Sequence, residues 1–133
     1  MTVDPADLVE RIWDRDPTAW TGGDEAKWLG WLDEPLRMQE QLESVLAFGN
    51  DVISAGAIDD YVVLGMGGSS LAPEVLRRAF EVEHFYVLDT THPKAIRALE
   101  ARIDPERTLF ISASKSGTTI ETRSHTAYFL AKG

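Results

Sequence analysis

Tyr61-Val-Val-Leu-Gly-Met-Gly-Gly-Ser-Ser70 is the stretch that decides the fold of this chain. A short β-branched run passes directly into a glycine-rich turn, and a helical pattern follows from Pro73 to Phe80. The same order recurs twice further along the chain, with strands at 84–89 and 108–113 and helices at 93–102 and 120–130. Strands that alternate with helices of about ten residues are typical of right-handed βαβ units and a parallel sheet. The sequence therefore predicts an α/β fold in which helices cover both faces of a parallel sheet, in three α/β/α layers.

A helical lead-in precedes the first predicted strand. The apolar spacing predicts a helix over residues 3–16, a short helix after Asp24, and a longer helix from Asp33 to about residue 55. We therefore expect two parts, a helical lead-in over residues 1–56 and an α/β domain over residues 57–133. Three strands leave a small parallel sheet with an exposed edge, which natural proteins usually avoid. For this reason we expect the α/β domain to be truncated, as part of a longer protein.

The composition is that of a globular chain with an acidic surface. The 133 residues are 44% hydrophobic and contain no cysteine, and 13 Lys and Arg stand against 22 Asp and Glu. Such a chain lacks the basic surface of nucleic-acid-binding proteins and is repelled by anionic membranes. It has no apolar run of about 18 residues and no apolar signal core, so we expect a cytoplasmic protein. A phosphate ester could bind only where local donors hold it.

Two turns stand in equivalent places, each after a strand and before a helix. They are Gly65–Ser70 and Ser114–Thr119. Ligands of open parallel sheets bind at the carboxyl ends of the strands, and a helix N-terminus offers free N–H groups to an anion. The glycines of the first turn allow a ligand close to the main chain, and the hydroxyls of the second donate hydrogen bonds without positive charge. Together the two turns predict a phosphate-binding site.

Each turn also has a plainer interpretation. A glycine-rich turn can be only a tight turn, Ser and Thr before a helix commonly serve as N-caps, and Lys115 can be only a solvated side chain. A nucleotide site of the Walker A type is excluded, because no GxxxxGK[ST] string occurs, and the GxGxxG fingerprint fails at Ser70. Asp89 ends the second strand, where dinucleotide-binding folds hold a ribose, so that alternative stays open.

At these residues the chain resembles glucose-6-phosphate isomerases. Leu64-Gly-Met-Gly-Gly-Ser-Ser-Leu-Ala-Pro73 and Ser112-Ala-Ser-Lys-Ser-Gly-Thr-Thr-Ile-Glu-Thr122 are similar to the family's two sugar-phosphate loops, and the second is close to its motif SK[ST]xTTxET. The resemblance covers residues 57–133 and implies a sugar-isomerase (SIS-type), flavodoxin-like domain. Residues 28–33 also look like the helical lead-in of the family's actinobacterial-type branch, some of whose members are fused to transaldolase.

The resemblance implies which residues bind the substrate phosphate. They are Ser114, Lys115 (through its backbone), Ser116, Thr119, Gly68 and Ser69. Gly67 and Thr118 are further candidates for this set. Ser70, Ala72 and Gly117 depart from the animal members, which have Asp, Gly and an aromatic residue there, and these departures suit the bacterial branch.

The implied reaction interconverts glucose 6-phosphate and fructose 6-phosphate through a cis-enediol, in glycolysis and gluconeogenesis. The family's Glu base, its Arg and its ring-opening residues are expected beyond Gly133, so no catalytic residue is assigned and the chain alone is expected to be inactive. Glu121 matches a motif Glu that would orient a catalytic His, or it is a first-turn residue that stabilises the helix dipole. The sequence predicts no metal and no cofactor, and the resemblance implies a homodimer for the full-length protein.

Two other functions fit an SIS-type domain. One is a non-enzymatic module that senses a phosphosugar, although no basic patch or DNA-binding helix pair accompanies it. The other is an isomerase of phosphomannose or of amino-sugar phosphates. Either would use the same phosphate-binding turns.

The three histidines are not assigned to catalysis. His84 opens a strand and is expected to be structural, and His92 lies at a strand-to-helix turn that could face a ligand. His125 lies one helical turn past Glu121, so the two residues share a face as a surface or packing pair.

Overall fold

The computed structural model describes residues 4–132. The chain divides into two compact units, Met1–Gly49 and Asn50–Gly133. Within the described residues, no helix is both long enough and apolar enough to cross a membrane.

The residues before the sheet form helices. Helix α1 spans Pro5–Trp13 and is capped by Asp4, whose side chain accepts a hydrogen bond from the Ala6 amide. Residue 3, where the sequence predicted this helix to begin, lies outside the described residues. Two 3₁₀ segments follow, Pro17–Ala19 and Glu25–Leu32, and helix α2 spans Glu34–Ala55. The segment after Asp24 is thus a 3₁₀ helix, with a kink at Leu29, where the backbone leaves the helical region.

The second unit contains the sheet. Its elements are β1 (Asp60–Gly65), α3 (Gly68–Ala79), β2 (Phe85–Leu88), α4 (Pro93–Glu100), β3 (Thr108–Ala113) and α5 (Ile120–Leu130). The three strands lie in the order β2-β1-β3, and both pairs are parallel. This arrangement confirms the predicted α/β fold with a parallel sheet, and its order is that of the first three strands of a flavodoxin-like sheet.

The core lies on one face of the sheet, under α4 and α5. Six buried side chains form it, from β1, β2, α4, α5 and the turn after α4: Val62, Leu64, Leu88, Leu99, Ile103 and Phe129. The rings of Phe129 and Phe110 stack with centroids 4.6 Å apart. No residue of α3 belongs to this cluster, although α3 contacts β1 and β2. Because right-handed crossovers place α3 on the opposite face, the sheet has a helical layer on each side.

Helix α3 begins five residues earlier than the sequence predicted. The sequence placed Pro73 in its first turn, whereas α3 starts at Gly68 and carries Pro73 in its interior. Proline has no N–H to give to the Ser69 carbonyl one turn before it. That carbonyl instead lies against Gly65, where an added Cβ would stand only 3.0 Å from the Ser69 oxygen. The absence of a side chain at Gly65 therefore leaves room for the first turn of α3 beside the end of β1.

Candidate functional site

The strand register brings the two predicted turns side by side. Gly65, the last residue of β1, pairs with Ala113, the last residue of β3. Adjacent strands lie about 4.8 Å apart, so the segments that follow them begin as neighbours. One segment leads to α3 and the other to α5, on opposite faces of the sheet. This is the topological switch point at which open α/β sheets bind their ligands.

The first turn depends on one unusual backbone conformation. Gly67 has φ +56° and ψ −122°, a region that is open to glycine and closed to other residues. After it, Gly68 is exposed and Ser69 is half-buried, in the first turn of α3. Ser70 points inward and donates from its hydroxyl to the Gly67 carbonyl at 2.9 Å. The predicted residues Gly67 and Gly68 are therefore exposed, Ser69 lies half-buried against Gly65, and Ser70 holds the turn in shape.

The second turn is organised by its own hydroxyls. The Ser114 and Thr119 hydroxyl oxygens lie 3.0 Å apart, and those of Ser116 and Thr118 lie 2.9 Å apart. The Gly117 amide donates to the Ser114 hydroxyl at 3.1 Å, and the Thr118 amide donates to the Ser116 hydroxyl at 3.2 Å. These bonds close the segment into a compact loop, so its hydroxyls are gathered before any ligand arrives.

Lys115 projects from this loop as an exposed side chain. Among the described residues it takes part in no salt bridge, whereas Arg77, Arg78 and Lys132 are all paired with carboxylates. An anion in the loop would therefore meet backbone amides and hydroxyls first, with one unpaired ammonium group nearby.

The helices after the two turns begin without side-chain caps. Neither Gly67 before α3 nor Thr119 before α5 makes a capping hydrogen bond. In contrast, Asp4 caps α1 and His92 caps α4. The first N–H groups of a helix have no partner within the helix, and α5 presents those of Ile120, Glu121 and Thr122 to whatever lies at the switch point. In α3 the Ser69 and Ser70 amides already donate to the Met66 and Gly67 carbonyls, at 3.2 and 3.0 Å, which leaves the Gly68 amide. An anion such as a phosphate group fits these donors and the positive end of each helix dipole.

Two buried polar residues of α5 lie beneath this region. Thr122 and His125 are each 2% exposed, and neither the Thr122 hydroxyl nor either ring nitrogen of His125 makes a hydrogen bond. Burial lowers the pKa of His125 below its usual 6.5, while the nearby Thr90 backbone and the Glu121 carboxylate act in the opposite direction. His125 is therefore a buried packing residue rather than a surface one.

The sequence analysis did not identify the inward face of α5. Thr122, His125 and Phe129 are its buried residues, spaced by three and four positions. Two of the three are polar, so a search for apolar periodicity does not find this buried face. Counting back from Phe129 in steps of four and three residues would have pointed to His125 and Thr122 as its buried neighbours on the helix.

Comparisons with known proteins bear on this site. A family model described as phosphoglucose isomerase matches residues 33–129. A glucose-6-phosphate isomerase from Thermus thermophilus is 36% identical over 110 residues, which are 81% of this chain and 26% of that protein. The protein of the same name from Albidiferax ferrireducens is 37% identical over 101 residues, 69% of this chain and 19% of that protein.

A solved structure is also similar to this chain. The crystal structure of a hypothetical protein from Thermus thermophilus superposes with a TM-score of 0.64 at 31% identity, and the match covers 96% of this chain and 31% of that one. The chain spans about a quarter of the length of its Thermus relative among the isomerases.

Proposed function

The chain belongs to the phosphoglucose isomerase family, and we propose that it forms the phosphosugar-binding part of a glucose-6-phosphate isomerase. Its substrates are glucose 6-phosphate and fructose 6-phosphate. For the complete protein the proposal includes a cytoplasmic homodimer, as the family resemblance implies.

One observation carries the proposal: α5 begins uncapped at the switch point, with its first amides open, beside a loop of clustered hydroxyls. At α1 and α4, by contrast, a side chain caps the helix. Leaving the first α5 amides open is unfavourable unless a ligand or water satisfies them. A phosphate group has enough acceptor oxygens for both helix ends and the hydroxyl loop together.

In this proposal the second turn holds most of the phosphate. Ser114, Ser116 and Thr119 turn their hydroxyls from one another toward the phosphate oxygens, and the amide of Lys115 adds a donor. Thr118, now bonded to Ser116, is the further hydroxyl on this side. Charge-assisted hydrogen bonds to a phosphate are stronger than the hydroxyl–hydroxyl bonds that they replace. The exchange therefore favours the bound state.

The first turn completes the site. Gly67, Gly68 and Ser69 offer backbone and a hydroxyl on the opposite side of the switch point. The sugar then extends away from the sheet, where the rest of a complete enzyme would supply the Glu base that moves a proton between C2 and C1. Glu121, in the first turn of α5, would orient the ring-opening His of that complete enzyme.

A titration of this chain tests the proposal. Amide resonances are followed by NMR while fructose 6-phosphate, inorganic phosphate or glucose is added. We expect residues 67–70 and 114–122 to shift with both phosphate compounds, and none of them to shift with glucose. A folded chain that shows no shifts at millimolar fructose 6-phosphate would contradict the proposal.

A pair of serine variants sharpens the test. Ser116→Ala removes a hydroxyl from the proposed phosphate loop, and we expect it to weaken both phosphate compounds by about tenfold or more, as for a hydrogen bond to a charged group. Ser124→Ala is the matched control, because the Ser124 hydroxyl bonds only to the Ile120 carbonyl on the exposed side of α5. Equal phosphate affinities of the two variants would show that the Ser116 hydroxyl does not bind the phosphate.

A further inference from the structure

A third strand-to-helix turn, Asp89–His92, ends at the same edge of the sheet. Leu88, the last residue of β2, pairs with Leu64, one residue before the end of β1. The turn therefore starts beside Gly65, next to the first phosphate-binding turn. No function is assigned to it so far.

The chemistry of this turn differs from that of the other two. The His92 Nδ1 atom accepts a hydrogen bond from the Lys94 amide at 3.2 Å and so closes the N-terminus of α4. The Thr90 hydroxyl is also occupied, since it accepts from the His92 amide at 3.2 Å. A helix end that is capped in this way has fewer free N–H groups with which to bind an anion. The turn instead presents two side-chain donors, the Thr91 hydroxyl and, because Nδ1 is an acceptor, the Nε2–H group of His92. Such neutral donors suit sugar hydroxyls.

His125 lies behind this turn. Its ring is 2% exposed, and the Thr90 backbone lies close enough to influence it, yet neither ring nitrogen reaches hydrogen-bond geometry. A buried N–H group without an acceptor is unfavourable by the full loss of its hydration. The Thr90 carbonyl is the acceptor at hand, so a small closure of the turn would satisfy the ring.

We propose that the turn Thr90–His92 is the sugar-side wall of the phosphosugar site and that His125 is the buried residue that positions this wall when a phosphosugar binds. The proposal rests on the proposed function, since it assigns a second group to the same site. His125 acts through Thr90 and is a positioning residue; Thr91 and His92 are the groups that contact the sugar.

The closure has a defined chemical basis. The free chain holds one unused donor on the buried His125 ring, and the Thr90 backbone lies near it. Hydrogen bonds in unliganded sites are often long and tighten when the ligand is present. A sugar that bonds to Thr91 and His92 draws the turn toward the phosphate loop, and the His125–Thr90 hydrogen bond forms in the same movement. Inorganic phosphate lacks the sugar and leaves the turn open.

The test compares fructose 6-phosphate with inorganic phosphate on the whole chain. His92→Asn keeps an N-cap for α4, because asparagine is a favoured capping residue, but removes the Nε2–H group. We expect about five- to tenfold weaker binding of fructose 6-phosphate, and inorganic phosphate within about twofold of the wild-type value. His84→Asn is the matched control, since His84 lies at the amino end of the sheet beside Asp60, and it should change neither affinity.

His125→Leu tests the positioning role. Replacing an unpaired buried polar ring by an apolar side chain is close to neutral for stability, so this variant should keep its melting temperature while losing affinity for fructose 6-phosphate alone. In the wild-type chain, fructose 6-phosphate and not phosphate should shift the His125 ring nitrogens and the Thr90 amide. If His125 is merely structural, the His125→Leu variant leaves the ratio of the two affinities unchanged, whatever its melting temperature.

The outcomes separate the two proposals. Wild-type chain that binds neither phosphate compound overturns the proposed function and this inference together. Binding of both compounds, with His92→Asn and His125→Leu weakening them equally or not at all, overturns this inference alone. Selective loss of fructose 6-phosphate in both variants supports it.

Discussion

At the scale of single residues, Gly65 is required by packing rather than by its own backbone angles. A Cβ atom at this position would stand 3.0 Å from the Ser69 carbonyl oxygen and 3.2 Å from the Ser69 carbonyl carbon and Cβ. We predict that Gly65→Ala lowers the free energy of unfolding by about 1–3 kcal/mol, because backbone rather than a mobile side chain must give way. Urea denaturation of the variant measures this. Gly68→Ala is the control, since its Cβ meets nothing within 4 Å; an equal loss there would contradict the steric explanation.

His125 gives a prediction of pH dependence at the same scale. Burial lowers the pKa of His125 below its usual 6.5, and Glu121 and the Thr90 carbonyl only partly oppose this. The unfolded chain therefore takes up the proton at higher pH than the folded chain. The stability that the neutral ring provides is fully present above about pH 6.5 and is lost as the pH falls through the lower folded-state pKa.

The measurement is the free energy of unfolding of the wild-type chain and of His125→Leu at pH 7.5 and pH 5.5. The leucine variant lacks the titrating ring, while the carboxylates are the same in both proteins. We expect wild type to lose more stability in acid than the variant does. Parallel pH profiles would mean that the ring titrates alike in the folded and unfolded chains.

At the scale of elements, α5 joins the core to the phosphate-binding turn. Phe129 is 2% exposed and stacks on Phe110 of β3, while its neighbour Leu130 is 76% exposed. We predict that Phe129→Ala lowers the free energy of unfolding by about 3–5 kcal/mol, and that Leu130→Ala changes it by less than about 0.5 kcal/mol. Thermal or urea denaturation distinguishes them. Similar values for the two variants would mean that α5 does not dock on the sheet as described.

The helices and strands were predictable where the apolar periodicity is clear and where turn residues mark the ends of the segments. The helix at 120–130 and the strand at 108–113 were predicted with the bounds found in the structure, because a β-branched run and a polar turn stand next to each other there. The predicted start of α3 was wrong because Pro73 is a strong signal for a first turn, and the sequence alone cannot reveal that Gly65 lets the Ser69 carbonyl approach it.

At the scale of the whole molecule, the sequence predicted where the site lies but did not predict that the turn Thr90–His92 borders it. Parallel strands bring their carboxyl ends to one edge by geometry, so the turns at 65–70 and 114–119 could be placed together in advance. The capping of α4 by His92 and the burial of His125 depend on side-chain packing between distant segments, which no local pattern records. The division of the chain at residues 1–56 and 57–133 stays a prediction.

The charge of the whole chain leads to a last prediction, on salt dependence. The net charge is −9, so the chain repels a phosphosugar dianion at long range, and the proposed site holds the phosphate by neutral amides and hydroxyls. Raising KCl from about 20 mM to about 200 mM screens that repulsion and should leave the dissociation constant of fructose 6-phosphate unchanged or somewhat lower. Chloride is the suitable anion, because sulfate would compete for the site. Isothermal titration at the two salt concentrations gives the answer. A several-fold weaker affinity at high salt would instead assign the binding to a cation, with Lys115 the first candidate, and Lys115→Met would then abolish the salt dependence.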